Sequence, residues 1–234
     1  MGSDADGERL IDYEALPPIT PQYRLKIQLA CLLWNLRHPG KTFTFQGSRY
    51  RYFASVYNET WKNERAVEVP LAMSELRAAA GKRVLEVGRV LDHYVRTHHD
   101  TVDRYEAGPR VLNVDIGSFR PEAPYDLILS ISTLEHVGWD ERPRDPTKAI
   151  LAIRHICSLL SAGGTFLMTV PIGSHPALDE YLRASPAEFE TMFYLKRITA
   201  GNDWVEVDRD TAHACTYGQP FPYANAIVIA RARR

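Results

Sequence analysis

The second part of the chain predicts a doubly wound α/β sheet, and three observations favour it. From residue 82 onward, apolar runs of strand length alternate with amphipathic stretches of helix length. The run "YDLILSIS" (125–132) is apolar enough to be a fully buried parallel strand. Two late apolar segments, "WVEV" and "NAIVIARA", are joined by a stretch too short for a crossover helix. We therefore expect a mostly parallel sheet that closes in an antiparallel pair.

Residues 1–75 are predicted to form an N-terminal cap, and residues 76–234 the sheet domain. The cap begins with a polar arm over about the first 18 residues. A helix follows, because Thr20 suits an N-cap and Pro21 the first helical position, and "HPG" at 38–40 ends it. A hairpin is predicted around Gln46-Gly47-Ser48. The apolar residues of the helix predict that it is mostly buried: Leu25, Ile27, Leu29, Leu32, Leu33 and Leu36.

Five parallel strands and three helices are predicted within the sheet domain. The strands are "RVLEVG" (83–88), "TVDRYE", "RVLNVDI", "YDLILSIS" and "TFLMTVPIG". The helices are "VLDHYVRTHH", "RDPTKAILAIRHICSLLSAGG" and "SPAEFETMFYL". The second helix has Asp145 as its cap and the glycines at 163 and 164 as its stop, and the third has Ser185 and Glu188 at capping-box spacing.

Composition indicates an ordinary soluble protein. The chain of 234 residues is 45% hydrophobic and 24% charged, with a formal net charge of −1. This balance gives no electrostatic reason to expect nucleic acid or an anionic membrane as a partner. The N-terminus lacks the pattern of a signal peptide, and no apolar run approaches the ~18 residues of a membrane span. The three cysteines have no metal-binding spacing, so we expect free thiols, no metal and a cytoplasmic location.

Several motifs, in order, resemble class I S-adenosylmethionine-dependent methyltransferases. They are "KRVLEVG", the acidic strand end "VDRYE", "NVDI", "YDLILSISTLEHVG" and "LLSAGGTFLMTVPIG". The resemblance covers about residues 80–232. It implies a Rossmann-like sheet whose seventh strand is antiparallel. "NERAVEVP" and "PFPYAN" look like one bacterial branch of that family, found with sugar or natural-product biosynthesis.

The resemblance also implies which residues bind the cofactor, S-adenosylmethionine. Glu86 is expected to pair with its amino group, and Gly88 to let the backbone approach it. Asp103 is expected to accept the ribose hydroxyls, with Glu106 as its rival. Next to the third strand, Asp115 and Ile116 are assigned to the adenine, and Ser130 completes the cofactor set. Asp103 and Asp115 as simple loop caps are the alternative.

Two departures from the family pattern modify this expectation. Arg89, Val90 and Leu91 follow Gly88 where further glycines are usual, which argues against NAD, since only a phosphate needs a glycine-rich cradle. The span from Asp103 to Val111 is too short for a crossover helix. Part of the adenine pocket is therefore expected to come from the first 70 residues.

The segment "STLEHVGWDE" follows the fourth strand, where the methyl group is expected to point. His136 is the first choice for the general base, because its ordinary pKa is near 6.5, and Glu135 is the second. A structural role for His136 is the equal alternative. Trp139 and Asp140 are candidates for the acceptor pocket, as are His175 and Asp179 after the fifth strand.

Two other groups have a functional and a structural interpretation. His93, His98 and His99 lack the spacing of one helical face, so a solvated helix end is favoured over a metal site. An aromatic and hydrogen-bonding set suits a carbohydrate lid or simple packing of the cap: Tyr50, Tyr52, Tyr57, Asn58, Trp61 and Arg65.

The sequence as a whole predicts a methyltransferase for a small polar acceptor. The expected reaction is O-methylation of a sugar or a glycosylated natural product, and a homodimer is possible. The competing hypothesis is a catalytically inactive, methyltransferase-like protein that binds a partner or another ligand.

Overall fold

The computed structural model describes residues 20–234, so the polar arm predicted over the first 18 residues lies outside the described part. The α-helices, in chain order, are α1 (Pro21–Arg37), α2 (Arg65–Ala78), α3 (Lys148–Ser158), α4 (Pro176–Arg183) and α5 (Arg209–His213). The β-strands are β1 (Thr42–Phe45), β2 (Ser48–Arg51), β3 (Val84–Val87), β4 (Asp100–Val102), β5 (Val111–Leu112), β6 (Tyr125–Ile131), β7 (Leu160–Pro171), β8 (Thr191–Arg197), β9 (Trp204–Val207) and β10 (Ala226–Arg233).

Eight of the strands form one sheet in the order β5-β4-β3-β6-β7-β10-β8-β9. Neighbours from β5 to β7 are parallel, and β10 is antiparallel to both β7 and β8. The strand order reverses direction between β3 and β6, which makes the fold doubly wound. The predicted fold class is confirmed, and the predicted hairpin is present as the antiparallel pair β1–β2.

The end of the sheet differs from the prediction. "WVEV" forms β9, which pairs with β8 and not with the last strand. β8 covers residues that were predicted to be a helix, and this prediction is wrong. Alternate side chains of β8 enter opposite cores, with Tyr194 on one face of the sheet and Leu195 on the other. A strand at this position therefore contributes side chains to the cores on both faces of the sheet, which a helix would not do.

Two helix predictions in the sheet domain also need correction. "VLDHYVRTHH" is not a helix; a single 3₁₀ turn, Leu91–His93, replaces it. The buried carboxylate of Glu86 explains the change, because it accepts the amides of Val90 and Leu91 and holds the chain against the sheet. Helix α3 ends at Ser158, and the two glycines expected to stop it lie inside β7.

Two hydrophobic cores cover the two faces of the sheet. On one face, Ile153 and Ile156 of α3 pack with Phe166 and with residues of α4 and α5. On the other, the hairpin and α2 contribute Phe45 and Val69. Helix α1 was predicted to be mostly buried, and this is wrong for the described residues: Cys31 is its single buried residue, and five of its leucines are exposed.

Within residues 20–234, no helix combines the length and the apolar character needed to cross a membrane.

Candidate functional site

The carboxyl ends of β3 and β6 meet at the switch point of the sheet, where open α/β sheets bind their ligands. Gly88 follows β3 with a φ of +87°, and the side chain of Thr133 lies directly against it. A Cβ at Gly88 would lie 2.5 Å from the Thr133 Cγ2 atom. The glycine was expected to admit a ligand. In the structure, the space left by the missing Cβ is taken by the side chain of Thr133, which follows β6.

Glu86 is fully buried, and both of its carboxylate oxygens have partners within the protein. Oε1 accepts the amides of Val90 (3.0 Å) and Leu91 (2.8 Å), and Oε2 lies 2.8 Å from Nε2 of His99. Glu86 therefore connects the turn after β3 to the residue before β4. The sequence had suggested that His99 lies at a solvated helix end. Its side chain is instead buried at this contact.

Asp103 follows β4, and backbone amides surround its carboxylate. Oδ2 accepts the amide of Arg89 at 2.9 Å, and Oδ1 accepts those of Tyr105 (2.8 Å) and Glu106 (2.7 Å). A carboxylate has about four lone-pair sites, so one acceptor position remains. Asp103 therefore holds the turns after β3 and β4 together and retains limited capacity for a ligand.

The side chain of Arg89 lies between these two turns. Its guanidinium contacts Asp92 at 2.8 Å and donates to the carbonyl oxygen of Ala107 at 2.9 Å. It also covers Gly108, where a Cβ would lie 2.8 Å from the Arg89 Cζ atom. Arg89 thus occupies the gap between the ends of β3 and β4.

Asp115, beyond β5, belongs to a cluster of four charged side chains. Its Oδ2 lies 2.5 Å from Nζ of Lys148 and 3.0 Å from Nη1 of Arg104, and both cations also contact Glu141. Partial burial acts to raise the pKa of Asp115, but the hydrogen bonds from Lys148 and the Gly117 amide outweigh it and the pKa is lowered. The neighbouring Ile116 is buried in the core.

Ser130 lies inside β6, one residue before its end, and is 1% exposed. Its hydroxyl has no hydrogen-bond partner among the described residues. The structure thus brings Glu86, Gly88 and Asp103 together at the ends of β3 and β4. Asp115 and Ile116 lie next to β5, and Ser130 is enclosed.

A cavity of about 240 Å³ lies beyond the ends of β6 and β7, where the start of α2 meets the loops after both strands. Its lining is largely polar and consists of Asn58, Asn63, Glu64, Arg65, Ser132, Glu135, His136, Pro171, Ser174, Tyr217 and Tyr223. Both catalytic candidates from the sequence are in this list.

Glu135 is only 3% exposed, and its Oε2 atom has no hydrogen-bond partner in the described part of the chain. Burial raises the pKa of this carboxyl to about 7, against the opposing effects of His136 and Arg65. Near neutral pH the group is therefore poised between its protonated and ionised forms, which is the property of a general base.

His136 also lines the cavity, but its side chain is 58% exposed. Nδ1 lies 2.6 Å from Oδ2 of Asp140, and Nε2 lies 3.7 Å from Oε1 of Glu135. Desolvation acts to lower the pKa of His136, but the Asp140 hydrogen bond and the Glu135 carboxylate outweigh it and the pKa is raised. The buried, unpaired acceptor belongs to Glu135, which the sequence had placed second.

The start of α2 adds two acids that the sequence had not indicated, Glu64 and Glu68, beside Arg65 of the predicted aromatic and hydrogen-bonding set. Arg65 contacts the buried Glu68 at 2.6 Å and donates to the backbone oxygen of Ser132 at 3.2 Å. Glu68 also accepts the Ser132 hydroxyl at 2.5 Å, so this pair fixes the residue that follows β6. Glu64 accepts the amide of Ala224, and burial together with Glu68 raises its pKa. The signal in the sequence was a pair of acids, Glu64 and Glu68, among the apolar residues at the start of α2.

The remaining acceptor-pocket candidates lie beside the cavity. Trp139 stacks on His175 with ring centroids 4.6 Å apart. His175 is buried and accepts the Leu178 amide at the start of α4, and burial lowers its pKa. Asp179 accepts the Gly173 amide, and burial raises its pKa to about 6. Neither His175 nor Asp179 lines the cavity described above.

The aromatic set of the cap does not form one surface. Asn58 and Arg65 line the cavity, whereas Tyr57 stacks on His93 at 4.2 Å. Tyr52 accepts the amide of Trp204 through its hydroxyl. The others pack within the cap or are buried there: Tyr50 and Trp61.

The strand order and directions define the Rossmann-like methyltransferase fold, with one additional antiparallel edge strand, β9. No family model and no curated protein matches the chain. Solved structures with a similar fold include the N-methyltransferase NodS from Bradyrhizobium japonicum WM9 in complex with S-adenosyl-L-homocysteine. It has 14% identity and a TM-score of 0.45 over 74% of this chain and 88% of NodS.

Two further structures extend this comparison. The 1,6-didemethyltoxoflavin-N1-methyltransferase of Burkholderia thailandensis, with bound 1,6-didemethyltoxoflavin and S-adenosylhomocysteine, has 18% identity and a TM-score of 0.44 over 93% of this chain and 92% of its own. An rRNA methylase from Streptococcus thermophilus has 10% identity and a TM-score of 0.43 over 71% and 96%. At these identities, the similarity concerns the fold.

Proposed function

We propose that this chain is an S-adenosylmethionine-dependent methyltransferase for a small polar acceptor. The observation that supports it most directly is Glu135, which lines a cavity at the ends of β6 and β7 and whose buried Oε2 atom has no hydrogen-bond partner among residues 20–234. Those ends adjoin the switch point of the sheet, where a ligand is expected.

The charged residues that line the cavity fit S-adenosylmethionine better than a cofactor that carries phosphate. S-adenosylmethionine carries a sulfonium cation and an amino group but no phosphate. The cavity wall holds the buried carboxyls of Glu64 and Glu135, and the one arginine in the lining is paired with Glu68. Carboxylates favour a cationic ligand and repel phosphate. Asp103 keeps one acceptor position, which we assign to a ribose hydroxyl.

The cofactor supplies an electrophilic methyl group, and this chain's residues would prepare the acceptor. Glu135 would take the proton of the attacking group as that group bonds to the methyl carbon. Arg65 would hold the end of β6 in place through its contact with Ser132. When bound, the cofactor would release its methyl group to the acceptor and would keep the electron pair of the C–S bond on its sulfur.

The finer proposal is O-methylation of a sugar or a glycosylated natural product. Carbohydrates are bound by side-chain hydrogen bonds and by aromatic rings. The cavity lining offers both, with Asn58, Asn63 and Ser174 as hydrogen-bonding groups and Tyr217 and Tyr223 as rings. A hydroxyl acceptor also requires a base, and Glu135 meets that requirement.

A second candidate is a methyltransferase-like protein that binds a ligand without methylating it. The position of Arg89 favours this alternative, because its guanidinium fills the gap between the turns after β3 and β4. The two carboxylates expected to bind the cofactor beside that gap, Glu86 and Asp103, are also engaged by backbone amides.

Calorimetric titration with S-adenosylhomocysteine separates the two candidates. We expect the wild-type protein to bind it and Asp103→Ala to bind about 5- to 150-fold more weakly, the equivalent of about 1–3 kcal/mol for a lost charged hydrogen bond. The control is Asp210→Ala, an exposed acid of α5, which is expected to bind like wild type. Absence of binding by the wild-type protein would favour the second candidate, and equal binding by Asp103→Ala would remove the ribose assignment.

A further inference from the structure

Helix α1 has two apolar sides, and only one of them contacts the rest of the described chain. Ile27, Cys31 and Trp34 are buried or half-buried on the inner side. The outer side carries four leucines, here called the α1 stripe, whose exposed fractions are 57% for Leu25, 50% for Leu29, 55% for Leu32 and 66% for Leu36. Contiguous exposed apolar surface of this kind marks an interaction site.

The spacing of the α1 stripe indicates the shape of what covers it. The four leucines are separated by four, three and four residues. This is the a/d spacing at which one helix receives a second elongated segment along its length. The stripe spans the twelve residues from Leu25 to Leu36, which corresponds to a rise of about 17 Å along the helix.

The charge of α1 indicates the chemistry of the covering segment. The helix contains Arg24, Lys26 and Arg37 and no acidic residue. None of these three cations forms an ion pair within residues 20–234. A second α1 packed on the stripe would add three more positive charges, so an acidic segment with apolar side chains fits better.

The chain itself supplies such a segment directly before α1. Residues 1–19 contain five acids (Asp4, Asp6, Glu8, Asp12 and Glu14) and a single arginine, Arg9. Between residues 8 and 16 the acids alternate with apolar residues, namely Leu10, Ile11, Tyr13 and Leu16. The chain enters the described structure at Thr20, the N-cap of α1, so this segment is tethered at one end of the stripe.

We propose that residues 8–16 of this chain bind along the α1 stripe of the same molecule. The apolar residues of the segment would cover the leucines, and Asp12 and Glu14 would approach Arg24 and Lys26. Nine residues reach at most about 30 Å, which exceeds the length of the stripe. The tether also raises the effective concentration of the segment, so weak contacts suffice for binding.

The test measures hydrogen exchange of the α1 amides in the full-length protein, with light scattering for its mass. The variant Asp12→Lys/Glu14→Lys should exchange at least about tenfold faster over residues 25–36 while remaining monomeric. The matched control Glu180→Lys/Asp210→Lys reverses two exposed acids outside the segment and should exchange like wild type. Adding Arg24→Glu/Lys26→Glu to the first variant should restore slow exchange, which a nonspecific loss of stability would not allow.

Three results would overturn the proposal. The first is unchanged exchange in the Asp12→Lys/Glu14→Lys variant. The second is a wild-type dimer that Leu29→Asp converts to a monomer, which would assign the stripe to a second copy. The third is binding of the wild-type protein to vesicles of anionic phospholipid with protection of α1, which would assign the stripe to a membrane surface.

Discussion

The two halves of the sheet use their acidic residues in different ways. In the half formed by β5, β4 and β3, the connections contain turns and no α-helix, and Glu86, Asp103 and Asp115 are all bound to amides or cations. In the half formed by β6, β7, β10 and β8, helices α3, α4 and α5 pack on the strands, and Glu135 keeps an unpaired oxygen. Where helices are missing, carboxylates hold the loops. Where helices support the strands, the Glu135 carboxylate keeps an oxygen without a hydrogen-bond partner in the described part of the chain.

Gly88→Ala tests the contact at which the two halves meet, and we expect it to have the largest effect. The substitution places a side chain at a φ of +87°, which costs about 1–2 kcal/mol. It also pushes a Cβ against Thr133, and overpacking of this kind costs about 1–3 kcal/mol more. Urea unfolding should therefore show a loss of roughly 2–5 kcal/mol.

Gly163→Ala is the matched control for that experiment. Gly163 has a φ of +76°, but nothing lies within 4 Å of the position of its Cβ. It should lose only the conformational part, about 1–2 kcal/mol. If both variants lose the same free energy of unfolding, then a Cβ at Gly88 does not clash with Thr133.

Glu135→Gln tests whether burial disfavours the ionised form of the Glu135 carboxyl. Burial raises the pKa of Glu135 to about 7, above its ordinary value near 4.3 in an unfolded chain. The folded state favours the protonated carboxyl. The resulting contribution to the free energy of unfolding is therefore fully present below about pH 4 and is lost as the pH rises to about 7. The loss amounts to roughly 3–4 kcal/mol for a group this deeply buried.

The glutamine variant should lack that part of the pH dependence when unfolding is measured between pH 4.5 and 7.5. Glu180→Gln changes an exposed acid of α4 and should keep the wild-type profile. If Glu135→Gln also keeps it, then Glu135 ionises normally and His136, the first choice from the sequence, regains its place as the base.

The fold class and the strands of the parallel part could be predicted further than the site itself. Apolar runs and their spacing located β3, β6 and β7, because burial on both faces leaves a continuous apolar signal. β8, an inner strand between β10 and β9, was predicted as a helix because Ser185 and Glu188 have capping-box spacing, and this local pattern carries no information about strand pairing. The site depends on contacts between distant positions, such as Arg65 with Ser132, and local sequence does not encode which of them meet.

The order of Glu135 and His136 shows the same limit. Residue type favoured the histidine, whose ordinary pKa is near neutral. Our proposal reverses this order because burial raises the pKa of the glutamate to about 7, whereas the histidine is half in solvent and bonded to Asp140. Burial is a property of the folded chain, so composition and spacing could name both residues but could not rank them.

Lys148→Met tests how the two halves are tied together and should have the smallest effect. Lys148 lies in α3, and its ammonium contacts Asp115 after β5 and Glu141 after β6, each at 2.5 Å. The side chains of Lys148 and Asp115 are about a quarter exposed, so the loss at pH 7 should be about 1 kcal/mol. The cluster lowers the pKa of Asp115, so its stabilising contribution is present above about pH 4 and is lost as the pH falls further.

The difference between Lys148→Met and wild type should therefore shrink in acid and in high salt, as measured by urea unfolding at several pH values. Arg154→Met removes the more exposed pair with Glu188 and serves as the control, with an expected loss smaller than that of Lys148→Met. A Lys148→Met deficit that persists below pH 3 would mean that the lysine acts through packing of its aliphatic stem. The half formed by β5, β4 and β3 would then also depend on hydrophobic packing against α3. The two halves would differ in how much helix packing supports them, and not in whether it does.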